Sequence, residues 1–302
     1  MEMLPLSSEP LLIHQKGNYR IYDFSRDDKD NVDRRTVMSF ADEWNKFNSF
    51  TDDDIQNIGH QYFDIVDPAT QLGKDKIALD LGCGSGRWSK YLAPQIGFIE
   101  AIDPSEAVFA AAQLLGAFPN VRISKASSDN IPFTDESFDF VFSIGVLHHV
   151  PDTQNALLHA VRKLKKNGHL LLYIYYNLDN RGRIYRSLFR ASNILRKYIS
   201  GLPPRIKYLA CDLMAVLFYF PFVLLSKFVR LFAKEGYKKI PLSYYVDKRF
   251  YIQRNDALDR FGTPLEQRFS KEKIRFMMEK SGLSDIIFSE HVPYWHAIGR
   301  KL

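Results

Sequence analysis

The spacing of apolar positions changes along the chain. From Ile77 to Tyr175 short apolar runs alternate with helical segments. Ile77–Leu81, Gly97–Asp103, Val121–Ser124, Phe138–Ser143 and His169–Tyr175 read as five buried strands, with helices over Ser85–Leu92, Glu106–Leu115 and Asn155–Leu164. Strands alternating with helices at this spacing predict a parallel sheet with helices on both faces. The rhythm stops after Asn177 and resumes near Ser270, a candidate N-cap for a helix running to Lys280 with Gly282 as its stop. Strands at Asp285–Ser289 and Tyr294–Gly299 would close the sheet. Ahead of it, Val37, Phe40, Trp44 and Phe47 recur at helical spacing in a polar stretch that holds the charged run Arg26–Asp30. The expected fold class is α/β: a doubly wound, Rossmann-like, seven-stranded sheet with an N-terminal helical cap. The cap would cover residues 1–60 and a ligand-binding core 61–178. A helical insertion after strand five would cover 179–262, and 263–302 would complete the core.

Composition narrows the class. The chain has 302 residues, 46% hydrophobic and 25% charged, which excludes disorder and coiled coil as its main character. Two cysteines, Cys83 and Cys211, cannot form a disulfide framework or a four-thiolate zinc site. Met1–Ile13 lacks the basic-then-apolar pattern of a signal peptide, so a cytoplasmic location is expected. The net charge of +6 is unevenly spread. Asp179–Arg254 carries 16 Lys/Arg against four acids, a local +12, so the remainder sums to −6. That segment also holds 15 of the 42 aromatic residues.

The strongest local signal is Asp80-Leu-Gly82-Cys83-Gly84-Ser85-Gly86-Arg87, between a buried strand and a helix. Glycines there let the backbone turn sharply and approach a ligand, and a helix N-terminus offers N–H groups. Asp103 ends the next strand 17 residues after Gly86, where a carboxylate can accept both hydroxyls of a ribose. Cys83 reads more simply as a small buried residue than as a nucleophile, and Trp88 as packing under the helix. A dinucleotide site usually has G-x-G-x-x-G; here the third glycine comes one residue early and is followed by Arg87-Trp88-Ser89.

With Asp80 in the strand before the loop, this pattern resembles motif I of the class I S-adenosylmethionine-dependent methyltransferases of the type 11 kind. The similarity continues collinearly through Asp103-Pro104-Ser105, Ile131-Pro132-Phe133 ahead of Ser137-Phe138-Asp139, Val146-Leu147-His148-His149-Val150, and Lys165–Gly168. The resemblance implies S-adenosyl-L-methionine as cofactor. It would be held by Asp80, Gly82, Cys83, Gly84 and Gly86 at its amino-acid end, and by Asp103 with Pro104 at the ribose. Ser143, Ile144 and Gly145 would line it after strand four. Where the family often has Gly-Asp-Ala facing the adenine, this chain reads Ala126-Ser127-Ser128-Asp129, which makes Ser127 and Ser128 the candidates.

Methyl transfer from a sulfonium needs alignment, exclusion of water and, for oxygen or nitrogen acceptors, proton removal. Histidine has the pKa for a base. His148 and His149 follow strand four at the correct edge, His149 being the first candidate, with a structural role as the alternative. Tyr175, Tyr176 and Asp179 share that edge. No metal is expected, because adjacent histidines do not share a helix face as i, i+4 ligands do.

The insertion contains Leu213–Leu225, thirteen uncharged residues interrupted by Pro221 and too short to span a bilayer. Arg205, Lys207, Lys227 and Arg230 flank it. Two readings stand: a helical lid packed on the core, and a peripheral membrane contact through 205–230 that collects a lipid-linked acceptor. Ser39–Phe47 and Tyr294–Arg300 resemble segments of bacterial methyltransferases of glycan and polysaccharide biosynthesis, which points to a sugar or lipid-linked glycan hydroxyl as the small-molecule acceptor. The alternatives are an RNA (tRNA) methyltransferase using the Arg-rich insertion, and a cofactor-binding protein without chemistry. No nucleic-acid-binding module is present, so nucleic acid is the weaker partner expectation.

Overall fold

The computed structural model describes residues 3–16, 19–25, 31–47 and 49–302; the run Arg26–Asp30 lies outside them. Two compact units are present: 1–179 with 265–302, and 180–264.

The first unit is built on one sheet of nine strands: β1 Leu12–Lys16, β2 Tyr19–Asp23, β3 Gly73–Leu81, β4 Ile96–Asp103, β5 Val121–Lys125, β6 Phe138–Ile144, β7 Leu164–Tyr173, β8 Leu283–Phe288 and β9 Ala297–Lys301. Their order is β1-β2-β5-β4-β3-β6-β7-β9-β8. Strands β3 to β7 run parallel, and β9 enters antiparallel between β7 and β8. The expected count of seven strands is corrected to nine. The N-terminal stretch expected to be only a helical cap begins with the β1–β2 hairpin, which lays Ile21–Asp23 parallel to Ile123–Lys125. Tyr19-Arg-Ile-Tyr-Asp23 alternates between the two faces of a strand, and Ile21, fully buried, locks the register.

Helices of this unit are α1 Arg34–Lys46, α2 Asp52–Tyr62, α3 Pro68–Gln71, α4 Arg87–Leu92, α5 Ala107–Leu114 and α6 Thr153–Lys163. Caps fix where they start. Asp33 accepts the Thr36 N–H on α1, Thr51 and Asp54 form a reciprocal capping box on α2, and Asp152 accepts the Asn155 N–H on α6. On one face of the sheet Leu79, Leu81, Phe138, Val141, Leu170 and Leu172 form a continuous apolar core with Ala156, Leu157 and Ala160 of α6.

Residues 180–264 form α7 Arg183–Ile199, α8 Pro204–Met214, α9 Phe220–Phe232 and α10 Phe250–Gly262. The first unit then resumes with α11 Lys271–Lys280, capped by Ser270 as its sequence suggested. A π-helical turn, Ala215–Tyr219, joins α8 to α9, so Pro204–Phe232 is one 29-residue helix. Pro221 therefore does not break it, because the wider turn before it absorbs the hydrogen bond a proline cannot make. Leu213–Leu225 is thus part of a longer helix, which is long and apolar enough to cross a membrane by length and composition.

Strands β4 and β5 are tied together by a buried ion pair. Arg122 on β5 donates to both carboxylate oxygens of Glu100 on β4, at 2.8 and 2.6 Å, and to the Leu4 carbonyl at 2.6 Å. Burial pushes the Glu100 carboxyl up to about 7 although Arg122 opposes it. Removing one partner of such a pair costs about 3–5 kcal/mol. Arg122→Met is expected to lose that much stability at pH 8 in urea unfolding, and clearly less at pH 5, where Glu100 can take up a proton; equal losses at both pH values would contradict this reading.

Candidate functional site

In a doubly wound sheet ligands bind beyond the carboxyl ends of the strands, where the strand order reverses. Here the reversal falls between β3 and β6. The loop after β3 and the turn after β6 meet there and line a cleft with about 690 Å³ of free space, counted to its open mouth.

The floor is the glycine loop. Gly82 and Cys83 donate their N–H groups to the Ile102 carbonyl at 2.8 and 2.9 Å, and the Gly84 N–H donates to Asp103 Oδ2 at 3.0 Å. Gly82 has φ +84°, and a Cβ there would lie 2.3 Å from Val146, so neither the conformation nor the space admits a side chain. Gly86 is left-handed as well, but a Cβ on it would press on Leu115 of the α5 side, so this glycine serves helix packing and does not line the cleft.

Asp103 lines the cleft in a fixed pose. Its Oδ1 accepts the Ser105 N–H and hydroxyl at 2.8 and 2.6 Å, and Oδ2 accepts Gly84, which leaves a lone pair on Oδ2. Burial raises its pKa, with the three donors opposing. Asp80 lies below the loop, 1% exposed and outside the cleft lining. Its Oδ2 accepts the Ser89 hydroxyl at 2.7 Å, whereas Oδ1 has no partner among the described residues. Burial first, and the charge of Asp103 after it, raise its pKa to about 7 against the Ser89 bond.

The roof is α1, which sequence reading treated only as a cap. Thr36, Val37, Phe40 and Trp44 line the cleft, and the Trp44 indole lies 3.0 Å from where a Gly84 Cβ would be. Arg87 lies between Trp44 and Phe50, its guanidinium 4.3 and 4.4 Å from the two rings. The helical spacing of Val37, Phe40 and Trp44 carried the signal, but nothing in it told a core face from a cleft face.

Among the residues expected at the site, Gly82, Cys83, Gly84, Asp103, Pro104, Gly145 and His149 are brought together around the cleft. Ser143 is not: its hydroxyl donates to the Leu81 carbonyl at 2.8 Å and ties β6 to β3. Ser127 and Ser128 are buried away from the cleft lining, and their hydroxyls have no partner among the described residues. Cys83 is a buried free thiol whose pKa burial drives well up, against any nucleophilic role.

The histidine pair divides. His148 is fully buried, its ring 3.9 Å from His149 and 3.8 Å from Tyr175, and burial holds its pKa well below the usual value. It is a neutral packing group outside the cleft lining. His149 lines the cleft, and its Nδ1 lies 2.7 Å from the Leu265 carbonyl. A carbonyl only accepts, so this contact places the ring proton on Nδ1 and the lone pair on Nε2. Leu265 begins a strap whose Gln267 binds the His148 and Val150 carbonyls, at 3.0 and 2.7 Å. No sequence signal marked this strap. Tyr175 packs between His148 and Arg268, and Asp179 accepts the Lys271 N–H and the Trp295 indole, both at 2.9 Å; neither residue reaches the cleft. Among the described residues no group of three or more metal-ligating side chains occurs.

Residues 79–172 match the family described as a methyltransferase domain. An uncharacterised methyltransferase of Bacillus subtilis, YcgJ, is 32% identical over 102 residues, 32% of this chain and 40% of the relative. A tRNA (carboxymethyluridine(34)-5-O)-methyltransferase of Saccharomyces cerevisiae is 34% identical over 104 residues, covering 33% and 35%. A ubiquinone biosynthesis O-methyltransferase of Hydrogenovibrio crunogenus is 27% identical over 139 residues, covering 45% and 57%. The chain thus matches roughly a third to just over half of the length of these relatives. Residues 79–172 thus match a methyltransferase domain, a match that implies S-adenosylmethionine as the cofactor. The residues present fit that group. Its ribose diol needs an acceptor, which Asp103 in the cleft lining offers, and Gly82 leaves backbone where a side chain would intrude.

The buried Asp80 makes stability depend on pH. Its folded pKa, about 7, exceeds the ordinary 3.8, so its contribution is fully present below the unfolded value and is lost as pH rises through about 7. Asp80→Asn keeps the acceptor for Ser89 without the charge. Its melting advantage over the natural chain, measured without cofactor, is expected to widen by about 3 kcal/mol between pH 5 and pH 8; parallel curves would show that Asp80 ionises freely.

Proposed function

We propose that the chain transfers a methyl group from S-adenosylmethionine to a hydroxyl of a small-molecule acceptor, of the sugar or lipid-linked glycan class. The observation that carries the oxygen acceptor is the placement of His149: it lines the cleft, and its Nδ1 is committed to the Leu265 carbonyl, which leaves Nε2 as the basic nitrogen. The bound cofactor supplies an electrophilic methyl group and needs no help with the electron count. The protein's share is alignment, exclusion of water and removal of one proton.

Each share has a residue. Asp103, held by Gly84 and Ser105, orients the ribose; Arg87, with its charge over two rings, offers a partner for the amino-acid carboxylate. Val37, Phe40, Val146 and Val150 keep the cleft apolar, and the Phe40 ring stands edge-on to His149 at 4.8 Å. His149 Nε2 takes the proton of the acceptor hydroxyl as that oxygen becomes the nucleophile. His148, neutral and buried, packs between His149 and Tyr175. The sugar or glycan class rests on the resemblance of Ser39–Phe47, which lies on the helix that roofs the cleft, and of Tyr294–Arg300.

Two measurements separate binding from chemistry. Calorimetric titration with S-adenosylmethionine should show saturable binding in the natural chain and in His149→Ala, and at least about tenfold weaker binding in Asp103→Ala, the loss of one charged acceptor. A radiolabelled-methyl screen across sugar and polyprenyl-linked sugar acceptors should then yield a product whose kcat falls about 100- to 10,000-fold in His149→Ala. Full turnover by His149→Ala would remove it as the base, and label transferred only to RNA would overturn the acceptor class.

A further inference from the structure

We infer that residues 180–264 dock on the surface of a bilayer bearing anionic headgroups, with the outer face of the Pro204–Phe232 helix and one flank of α7 lying in the interface. A helix on the outside of a water-soluble unit turns its polar stripe outward. This one does the reverse. Every exposed residue from Leu213 to Leu225 is apolar: Leu213, Val216, Leu217, Phe218, Phe220, Pro221, Leu224 and Leu225. The stripe continues at Leu209 on one side and at Phe228 and Leu231 on the other, the last 76% exposed. Such a contiguous apolar face marks an interaction site.

The opposite face shows why the helix lies along a membrane and does not cross it. Cys211, Ala215, Tyr219, Val223 and Ser226 are buried at helical spacing. Asp212 binds Arg254 of α10 with both oxygens, at 2.9 and 2.8 Å, and the Tyr219 hydroxyl donates to Asp256 of α10 at 2.5 Å. These polar pairs hold one side of the helix against protein, so only the other side can meet lipid.

Charge selects the kind of membrane. From Asn180 to Pro264 there are 17 Lys/Arg and five Asp/Glu. Part of that excess is spent internally: Arg196 is buried on the Thr263 and Pro264 carbonyls, Arg254 pairs with Asp212, and Arg230 with Asp247. What faces outward on α7 is ordered. Arg183, Arg186, Arg190 and Lys197 are exposed along one row, and Leu188, Ile194, Leu195 and Tyr198 are exposed along the adjoining row. The helix contains no acidic residue. A basic row beside an apolar row is the pattern of a helix lying at an anionic interface. The inference stands on this unit alone and does not depend on the acceptor.

The test is flotation of the full chain with vesicles of phosphatidylglycerol and phosphatidylcholine in equal parts, beside vesicles of phosphatidylcholine alone. The chain is expected to float with the mixed vesicles and to partition far less onto the neutral ones. Arg186→Gln with Arg190→Gln should weaken partitioning about 25-fold, at about fivefold per basic residue. Leu217→Gln, Leu224→Gln and Leu231→Gln together should abolish it, with circular dichroism and melting unchanged because all three side chains are exposed. A chain that floats with neither vesicle overturns the inference. So does a discrete dimer that the triple variant dissolves without any vesicle binding, or salt-steep binding to RNA in place of lipid.

Discussion

The end of β4 holds the site together. Three consecutive N–H groups of the loop after β3 are taken up there, two by the Ile102 carbonyl and one by the Asp103 carboxylate. A tight glycine turn exposes backbone donors that no helix or ladder satisfies, and buried donors without partners are costly. The neighbouring strand supplies the acceptors, so the loop and Asp103 cannot shift independently. The same carboxylate that would meet the ligand fixes the floor beneath it. Because the Asp103 carbonyl also accepts the Ala126 N–H at 3.1 Å, β5 is drawn into the same arrangement. The position of β4 against β5, set by the buried Glu100–Arg122 pair, is therefore a property of the site as much as of the fold.

Much of this was legible in the sequence, for a physical reason. Strands buried on both faces read as apolar runs, and Phe138–Ile144 or Ile96–Asp103 can hardly be anything else once glycine turns bound them. The glycine loop and Asp103 were legible because their chemistry is local: a turn after a strand, an acid at the end of the next. What stayed hidden is tertiary. Ser143 sits at the expected edge, but strand alternation aims its hydroxyl at the Leu81 carbonyl and away from the cleft. The orientation of His149 depends on Leu265, 116 residues away, on a strap with no pattern of its own. The β1–β2 hairpin was missed because an edge hairpin of five-residue strands has only Ile21 fully buried to announce it.

The opening charge asymmetry acquires a meaning from the partners of each residue. A count of +12 treats Arg196, buried and capping the end of α10, as equal to Arg186, exposed on α7. Their roles differ: a buried guanidinium satisfies carbonyls that would otherwise lack donors, and an exposed one acts on whatever approaches. Removing the internal users leaves a short basic row beside an apolar one, which carries more information than the net charge. The apolar run Leu213–Leu225 changes in the same way. As a bare segment it is too short to span, yet within a continuous 29-residue helix it supplies one unbroken outer face.

The acidic balance of the rest of the chain bears on ligand binding. Asp80 and Asp103 lie on either side of the glycine loop, both with pKa values raised by burial, and Asp80 raised further by its neighbour. Two carboxylates in a poorly solvated place are held apart in character by their donors. Asp103 has three, and Asp80 has one hydroxyl and a bare oxygen. Without ligand, Asp80 gives up its proton only around neutral pH, far above the ordinary carboxylate range. A ligand that brings positive charge to the loop lowers the cost of ionising it, whereas a neutral or anionic one does not. The desolvation that makes the ionised Asp80 costly as pH rises would thus be eased by positive charge brought near the loop.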